Sequence, residues 1–289
     1  MQSRQAGIAL VMVVAIVAIL TIIALTLTTV QRTQIALTRN DIEGVRFRAH
    51  AEGLLNLVAA ELLTARSSGF TRPVIFPSDG QWHAFAFDGR RFLVRLQDES
   101  GLVPINSATR EQLARLIDLV AVGEVEFDPE ILADRILDAR DPDDLRRAQG
   151  AEDDDYRSAG LPYGAADEPF GTLGALRQVP GMSDALYARL VDHLSVDNRA
   201  FNPAHASSVA LAAWENLNLA DASARVAQRG AIAQGGPLYR IDIVQGDVDQ
   251  SARRFQAVFE LGSMNNQPFT VHWRRLGLPS PVQPQAVSI

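Results

Sequence analysis

The stretch GIALVMVVAIVAILTIIALTLTTV, residues 7–30, decides how the chain is organised. From Ile8 to Val30 no side chain is charged. A helix of that length, at ~1.5 Å per residue, reaches ~34 Å and would span a bilayer core of ~30 Å. A cleaved secretory signal would have a shorter apolar core, roughly 7–15 residues, and a small-x-small cleavage site. A buried core helix is a further reading, and the missing polar face weighs against it. The expectation is therefore a single membrane helix over 8–30. The only charge before residue 31 is Arg4, while Arg32, Arg39, Arg46 and Arg48 follow, partly offset by Asp41 and Glu43. A positive-inside count alone would keep the rest of the chain in the cytoplasm.

Outward from that run the helical pattern does not stop. Residues 31–66 contain no proline, and Ile35, Ile42, Val45, Ala49, Leu54, Leu57, Val58, Leu62 and Leu63 recur at three- and four-residue spacing. One long helix is predicted to leave the membrane and pack its stripe on a globular head. Gly44 and Gly53 weaken it by ~1 kcal/mol each against alanine. Next, Trp82–Phe87, Asp88-Gly89 and Phe92–Leu96 read as a hairpin on a tight Asp-Gly turn. Leu238–Val244, Phe255–Leu261 and Phe269–Trp273 read as three more strands. The segment between the two sets is helical in pattern. The fold class expected is α+β, with an antiparallel sheet split by a large inserted all-α domain.

Composition narrows the function. The chain has 289 residues, 47% hydrophobic and 21% charged, with no cysteine and no lysine. A thiol nucleophile, a disulfide framework and a cysteine-ligated zinc are excluded. The net charge is −7, and the part beyond Arg4 is one unit more acidic. That opposes general nucleic-acid binding, which needs a basic face, and suits cations. His50, His83, His193, His205 and His272 are scattered, and no G-x-S-x-G, H-E-x-x-H or P-loop occurs. A carboxylate pair acting as acid and base is open in principle, but no enzyme is expected.

Within the helical segment, Gly101–Thr109 (GLVPINSAT) leads into a helix at about 110–119, with Thr109 or Ser107 as cap and Glu111 suited to the helix dipole. A weak echo, Asn198–Ala206, precedes Val209–Trp214, and Leu176–Met182 (LRQVPGM) precedes Ala185–Leu194. Both the INSAT and VPGM pieces also occur in helix-hairpin-helix modules, some of which bind DNA phosphates. A membrane-tethered DNA-binding or uptake protein is therefore the alternative function. The plainer reading is a packing turn, since only Arg177 and Arg189 lie near Gly181 and Asp184 is adjacent. An adhesive, calcium-dependent head on a single membrane helix is a third possibility.

Residues 124–168 hold fifteen Asp or Glu and five Arg. Carboxylates so crowded must be solvated, paired or bound to a cation. Calcium, with six to eight oxygens at ~2.3–2.6 Å, suits them, although no EF-hand spacing is present. The other reading is a solvated acidic loop, salt-bridged to Arg140, Arg146, Arg147 and Arg157.

Three features together resemble one family. A short leader ending in Gly7 before an apolar helix looks like the class III signal of type IV pilins and pseudopilins. Most members carry Glu at the fifth mature position, where this chain has Met12, and Phe at the first, where it has Ile8. Loss of that Glu marks the minor pseudopilin called protein K of type II secretion. The order LDARDPDD (137–144), GAEDDDY (150–156), Pro169-Phe170 and 176–182 is similar to protein K, with Ala139 where Trp is common and Glu168 where Asn is common. The resemblance runs from the leader to about Trp273 and is most specific over 98–182.

The resemblance implies cleavage by prepilin peptidase between Gly7 and Ile8, with methylation of the new N-terminus. It implies an inner-membrane protein with its head in the periplasm, against the charge count. Partners implied are the minor pseudopilins I and J, the major pseudopilin, the inner-membrane assembly platform and the peptidase. It also implies calcium, with Asp141, Asp143, Asp144, Glu152 and Asp155 as first ligands and Asp153 and Glu168 in reserve. The domain plan expected is leader 1–7, transmembrane helix 8–30, pseudopilin helix and first strands 31–100, inserted helical domain 101–220, C-terminal strands 221–278 and a flexible tail 279–289.

Overall fold

A computed structural model of the chain describes residues 3–67, 75–121, 128–229, 235–245, 253–262 and 267–277. The expected tail, 279–289, and residues 1 and 2 of the leader lie outside them. The chain divides into two units, residues 1–50 and 51–289.

A single helix, α1, runs Ser3–Ser67, as the proline-free pattern requires. In the first unit its large apolar side chains from Met12 to Leu27 are exposed. Thr21, Thr26 and Thr28 donate their hydroxyls to Val17, Ile22 and Ala24 carbonyls one turn back, at 2.6–2.7 Å. Side chains of residues 3–11, 29, 30 and 33 lie outside the described set, so Gly7 and Ile8 have no described surroundings. Among the described residues no helix is long and apolar enough to cross a membrane; the expected span of 8–30 falls only partly within that set.

The second unit is built on a five-stranded antiparallel sheet. Its strands are β1 (Asp79–Phe87), β2 (Arg90–Asp98), β5 (Leu238–Gln245), β6 (Arg253–Leu261) and β7 (Phe269–Gly277), in that spatial order. The β1–β2 turn places Asp88 at φ 48° and Gly89 at φ 69°. Two successive left-handed residues make the twist that a two-residue hairpin needs, and Asp-Gly supplies them cheaply. Alternation then sorts the side chains. Phe92, Val94 and Leu96 of β2, Tyr239, Ile241 and Ile243 of β5, and Phe255, Ala257 and Phe259 of β6 share one buried face. The segment of α1 in this unit buries Leu54, Leu55, Val58, Ala59 and Leu62. Its contacts with the sheet include Gly53, where an added Cβ would lie 3.3 Å from the Phe87 ring, and Arg66, whose guanidinium sits 5.9 Å from the Tyr239 ring.

The other face is also covered, and β5 is buried along both. Between β2 and β5 the chain inserts a helical domain. It contains β3 (Val103–Pro104), α2 (Arg110–Val120), α3 (Pro129–Asp138), α4 (Asp153–Ser158), α5 (Asp184–Leu190), β4 (Leu194–Ser195), α6 (Ser208–Glu215) and α7 (Leu219–Ala227). The insertion thus runs past residue 220, and the region expected as one acidic loop contains two helices, α3 and α4. Its core gathers Leu113, Leu116 and Ile117 from α2, Leu132 and Ile136 from α3, Leu186 and Leu190 from α5, and Leu211 from α6. A two-residue parallel ladder, Val103 to Leu194 and Pro104 to Ser195, ties its start to its later part.

The insertion meets the sheet through charge. On the face away from α1, Asp242 of β5 lies directly across from Arg95 of β2 and Gln256 of β6. It accepts from Arg95 at 3.0 Å, from Arg254 and from Gln256 at 3.0 Å. Arg95 also reaches Asp192, just beyond α5, at 2.7 Å. Arg240 pairs with buried Glu99 and donates to the Val191 and Leu194 carbonyls, both at 2.9 Å. Trp273 of β7 donates its indole N–H to Asp197 at 2.9 Å. Burial alone would raise the Asp242 carboxyl, but Arg95 and Arg254 outweigh it and hold it below the ordinary aspartate value.

Of the two caps expected for α2, Thr109 and Ser107, the helix uses Thr109, which forms a reciprocal box. Its hydroxyl accepts from the Gln112 N–H while the Gln112 side chain accepts from the Thr109 N–H. Thr109→Ala should cost about 1 kcal/mol, within a range of roughly 0.5–2, read as a lower denaturation midpoint with an unchanged slope.

Candidate metal centre

The centre is built on α3. Asp134 and Asp138 are four residues apart and so share one face of the helix, and both are buried. Asp134 is paired by Arg110 and accepts the Gln149 N–H at 3.2 Å. Asp138 accepts the Arg147 N–H at 3.2 Å, and the Arg147 guanidinium bridges it to Asp141. Gly150 is pressed against Asp138, and a Cβ there would lie 1.6 Å from its Oδ2. These two buried carboxylates fix the course of residues 146–150. They spend their charge on the chain itself.

The far side of the centre is pinned from the entrance to α2. Asn106 accepts from the Phe170 N–H at 2.8 Å and donates to the Phe170 carbonyl at 3.0 Å. This two-point clamp fixes the chain three residues beyond Asp167. Asp167 itself sits in the left-handed region at φ 52°, a conformation that aspartate tolerates better than most residues. Arg140 donates to the carbonyls of Ile105 and Ala108. It therefore braces the same entrance instead of forming the salt bridge expected from sequence. The other three arginines pair as that reading expected: Arg147 as above, Arg146 with Asp155 at 3.1 Å, and Arg157 with Asp154.

The outcome is a converging set: Asp144, Glu152 and Asp167 each present a carboxylate oxygen, all within 4.8 Å of one another. Glu152 is buried, Asp167 is half-buried and Asp144 is exposed. Glu152 Oε1, Asp167 Oδ1 and the nearby Asp141 Oδ1 are buried without any hydrogen-bond partner. Burial, then the charges of Asp138, Asp167, Asp141 and Asp144, pushes the Glu152 carboxyl up to about 7. Burial, then Asp153, Asp144 and Asp141, raises Asp167 as well. Buried anionic oxygens without partners are costly, and a hard cation with oxygen ligands is the group that relieves them.

Of the residues expected as ligands, Asp144 and Glu152 belong to this set, and Asp141 borders it while also serving Arg147. Asp143 is exposed and its Oδ1 accepts the Leu145 N–H at 2.9 Å. Asp155 closes the first turn of α4 by accepting the Glu152 N–H at 3.1 Å. Asp153 accepts the Ala165 N–H at 3.1 Å, and Glu168 is exposed. Asp167 was missed. It lies one residue before Glu168, and only the three-dimensional clamp at Phe170 distinguishes the two.

The Val179–Met182 turn is held from within. Arg135 donates to the Pro180 carbonyl at 2.9 Å, the Met182 N–H returns to the Val179 carbonyl, and Arg177 stacks on Tyr187 while pairing with Asp184. The DNA-binding alternative gains no support from this arrangement, which uses the turn for packing.

Comparison with known proteins places residues 91–198 under a family model described as type II secretion system (T2SS), protein K. That stretch holds β2 through β4 and the whole acidic centre. The type II secretion system protein K of Pectobacterium carotovorum subsp. carotovorum is 27% identical over 256 residues, covering 79% of this chain and 76% of that protein. Among solved structures, the GspK-GspI-GspJ complex from the enterotoxigenic Escherichia coli type 2 secretion system contains a similar chain. It gives a TM-score of 0.59 at 17% identity, covering 84% of this chain and 99% of that one.

Proposed function

We propose that this chain, which belongs to the type II secretion system protein K family and is a minor pseudopilin, ends a pseudopilin fibre at its tip. The observation that carries the reading is the helical domain inserted between β2 and β5. It covers the sheet face that α1 leaves free, so the head gains a third layer. Such bulk suits a subunit with none stacked above it. Met12, standing where most type IV pilins and pseudopilins have Glu, fits the same position. The role is structural, with no catalytic step assigned to any residue.

The membrane part of the proposal is that residues 8–30 hold the subunit in the inner membrane, with the head in the periplasm. The apolar run supports this, as do the hydroxyls of Thr21, Thr26 and Thr28, each satisfied by a helix carbonyl one turn back. Prepilin peptidase would cut between Gly7 and Ile8. The other minor pseudopilins, I and J, would pack their helices against α1, and the major pseudopilin and the inner-membrane platform would follow in assembly.

Calcium is the proposed ion, held by Asp144, Glu152 and Asp167 with Asp141 alongside. Two oxygens on one calcium lie at most ~5 Å apart, given bonds of ~2.3–2.6 Å, and the three carboxylates meet that limit. When bound, the ion neutralises the repulsion among them and ties residues 144, 152 and 167 into one structure. The tip reading is tested by Met12→Glu in a secreting cell. Altered tip assembly and reduced secretion are expected; normal fibres and normal secretion would count against the capping position.

A further inference from the structure

A cavity of about 400 Å³ lies between residues 171–196 of the insertion and the β6–β7 edge of the sheet. Five arginines line it, with Asp192 as the one acid. Two of the five are already neutralised, Arg240 by Glu99 and Arg254 by Asp242, and Asp192 is taken by Arg95. Of the remaining three, Arg274 pairs with Ala257 across the strands and reaches Glu52 of α1, on the other face of the sheet, which leaves Arg177 and Arg275. Arg177 pairs with Asp184, but both side chains are well exposed, so the pairing is screened and weak. Arg275 has no acidic partner among the described residues and lies over the Trp273 ring, 5.7 Å from its centroid. Arg177 lies over the Tyr187 ring at 4.1 Å. The opening is therefore cationic on a chain whose net charge is −7, and its walls are Trp, Tyr and Arg, the types that dominate binding hot spots.

β7 is also the end strand, with no further strand beyond it among the described residues. Charges on an edge strand commonly serve to prevent stray pairing. That role would explain Arg274 and Arg275 but needs no cavity, no aromatic walls and no Arg177 from another element. We propose that this cavity is a binding site for a peptide carboxylate, with Arg275 and Arg177 supplying the charge and Trp273 and Tyr187 the walls. The carboxylate could be a chain's C-terminus or an internal acidic side chain. In either case the planar guanidinium fork matches it.

The test uses the full chain in detergent micelles, titrated with three probes by calorimetry. One is acetyl-Ala-Phe-Leu with a free carboxylate, one is acetyl-Phe-Glu-Phe amide, and one is the neutral acetyl-Phe-Gln-Phe amide. At least one carboxylate probe should bind about tenfold or more tightly than the neutral probe, and binding should weaken with salt. Which of the two binds better identifies the source. Arg275→Gln should weaken that binding by about tenfold. If this variant fails to fold, Arg177→Gln decides in its place. Equal binding of the neutral probe would overturn the proposal. So would the absence of any binding at millimolar probe, or binding unchanged in both folded variants.

Discussion

Asp242→Asn should cost the folded chain about 3–5 kcal/mol, the scale expected when one partner of a buried ion pair is removed. Asp242 is nearly inaccessible and accepts from Arg95, Arg254 and Gln256 at once. An asparagine keeps one acceptor oxygen but turns an NH2 group toward guanidinium donors, which it cannot satisfy. Arg95 would retain only Asp192. Because Arg95 joins β2 and β5 to the insertion, the loss should appear as separation of insertion and sheet. The measurement is chemical denaturation of the variant beside the parent chain. A change below about 1 kcal/mol would contradict the role given to this network.

The same carboxylates set the acid response. Asp242 and Asp192 are both held below their ordinary value by Arg95, against the opposing effect of burial. Their contribution is therefore complete above the ordinary aspartate pKa of ~3.9 and is lost as pH falls through the depressed values. Glu99 runs the other way. Burial raises it despite Arg240, so its contribution falls as pH rises from the ordinary glutamate value towards its raised one.

Calcium should raise the thermal midpoint of the full chain in detergent. At a free concentration about a hundredfold above Kd, linkage gives about 2.7 kcal/mol. For a head of this size that is a rise of roughly 5–10 °C. A chelator should reverse it. Two variants separate the centre in the structure from a general acidic effect. Asp167→Asn should abolish most of the shift, whereas Asp143→Asn should leave it intact. An equal loss in both, or no shift at millimolar calcium, would remove the ion from the account.

Much of this architecture was legible in the residues. The Asp88-Gly89 turn announced its hairpin because few residue pairs accept two left-handed conformations. The runs 238–244, 255–261 and 269–273 also read as strands, and each lies within one. What alternation could not show is that Arg240 and Asp242 of β5 are buried. Charges alternating with Tyr239, Ile241 and Ile243 read as a solvent face, and only the insertion packing over them makes them an ion network. The acidic segment failed in a related way. Counting carboxylates finds a region that suits a cation, but Asp134 and Asp138 serve chain folding, Asp155 caps α4, and Asp167 joins Asp144 and Glu152 through a clamp made by Asn106. Partnerships across such separations depend on packing that local spacing does not encode. The Gly7–Ile8 junction was read from resemblance and lies outside the described side chains, so it stands on chemistry still to be measured.

The most direct test of the pseudopilin account is the intact mass of the chain extracted from membranes of a cell that carries prepilin peptidase. The account predicts a mature chain that begins at Ile8 with a methylated N-terminus, and retention of the uncut form when the peptidase is absent. A chain that still begins at Met1, or is cut elsewhere, with the peptidase present would contradict it.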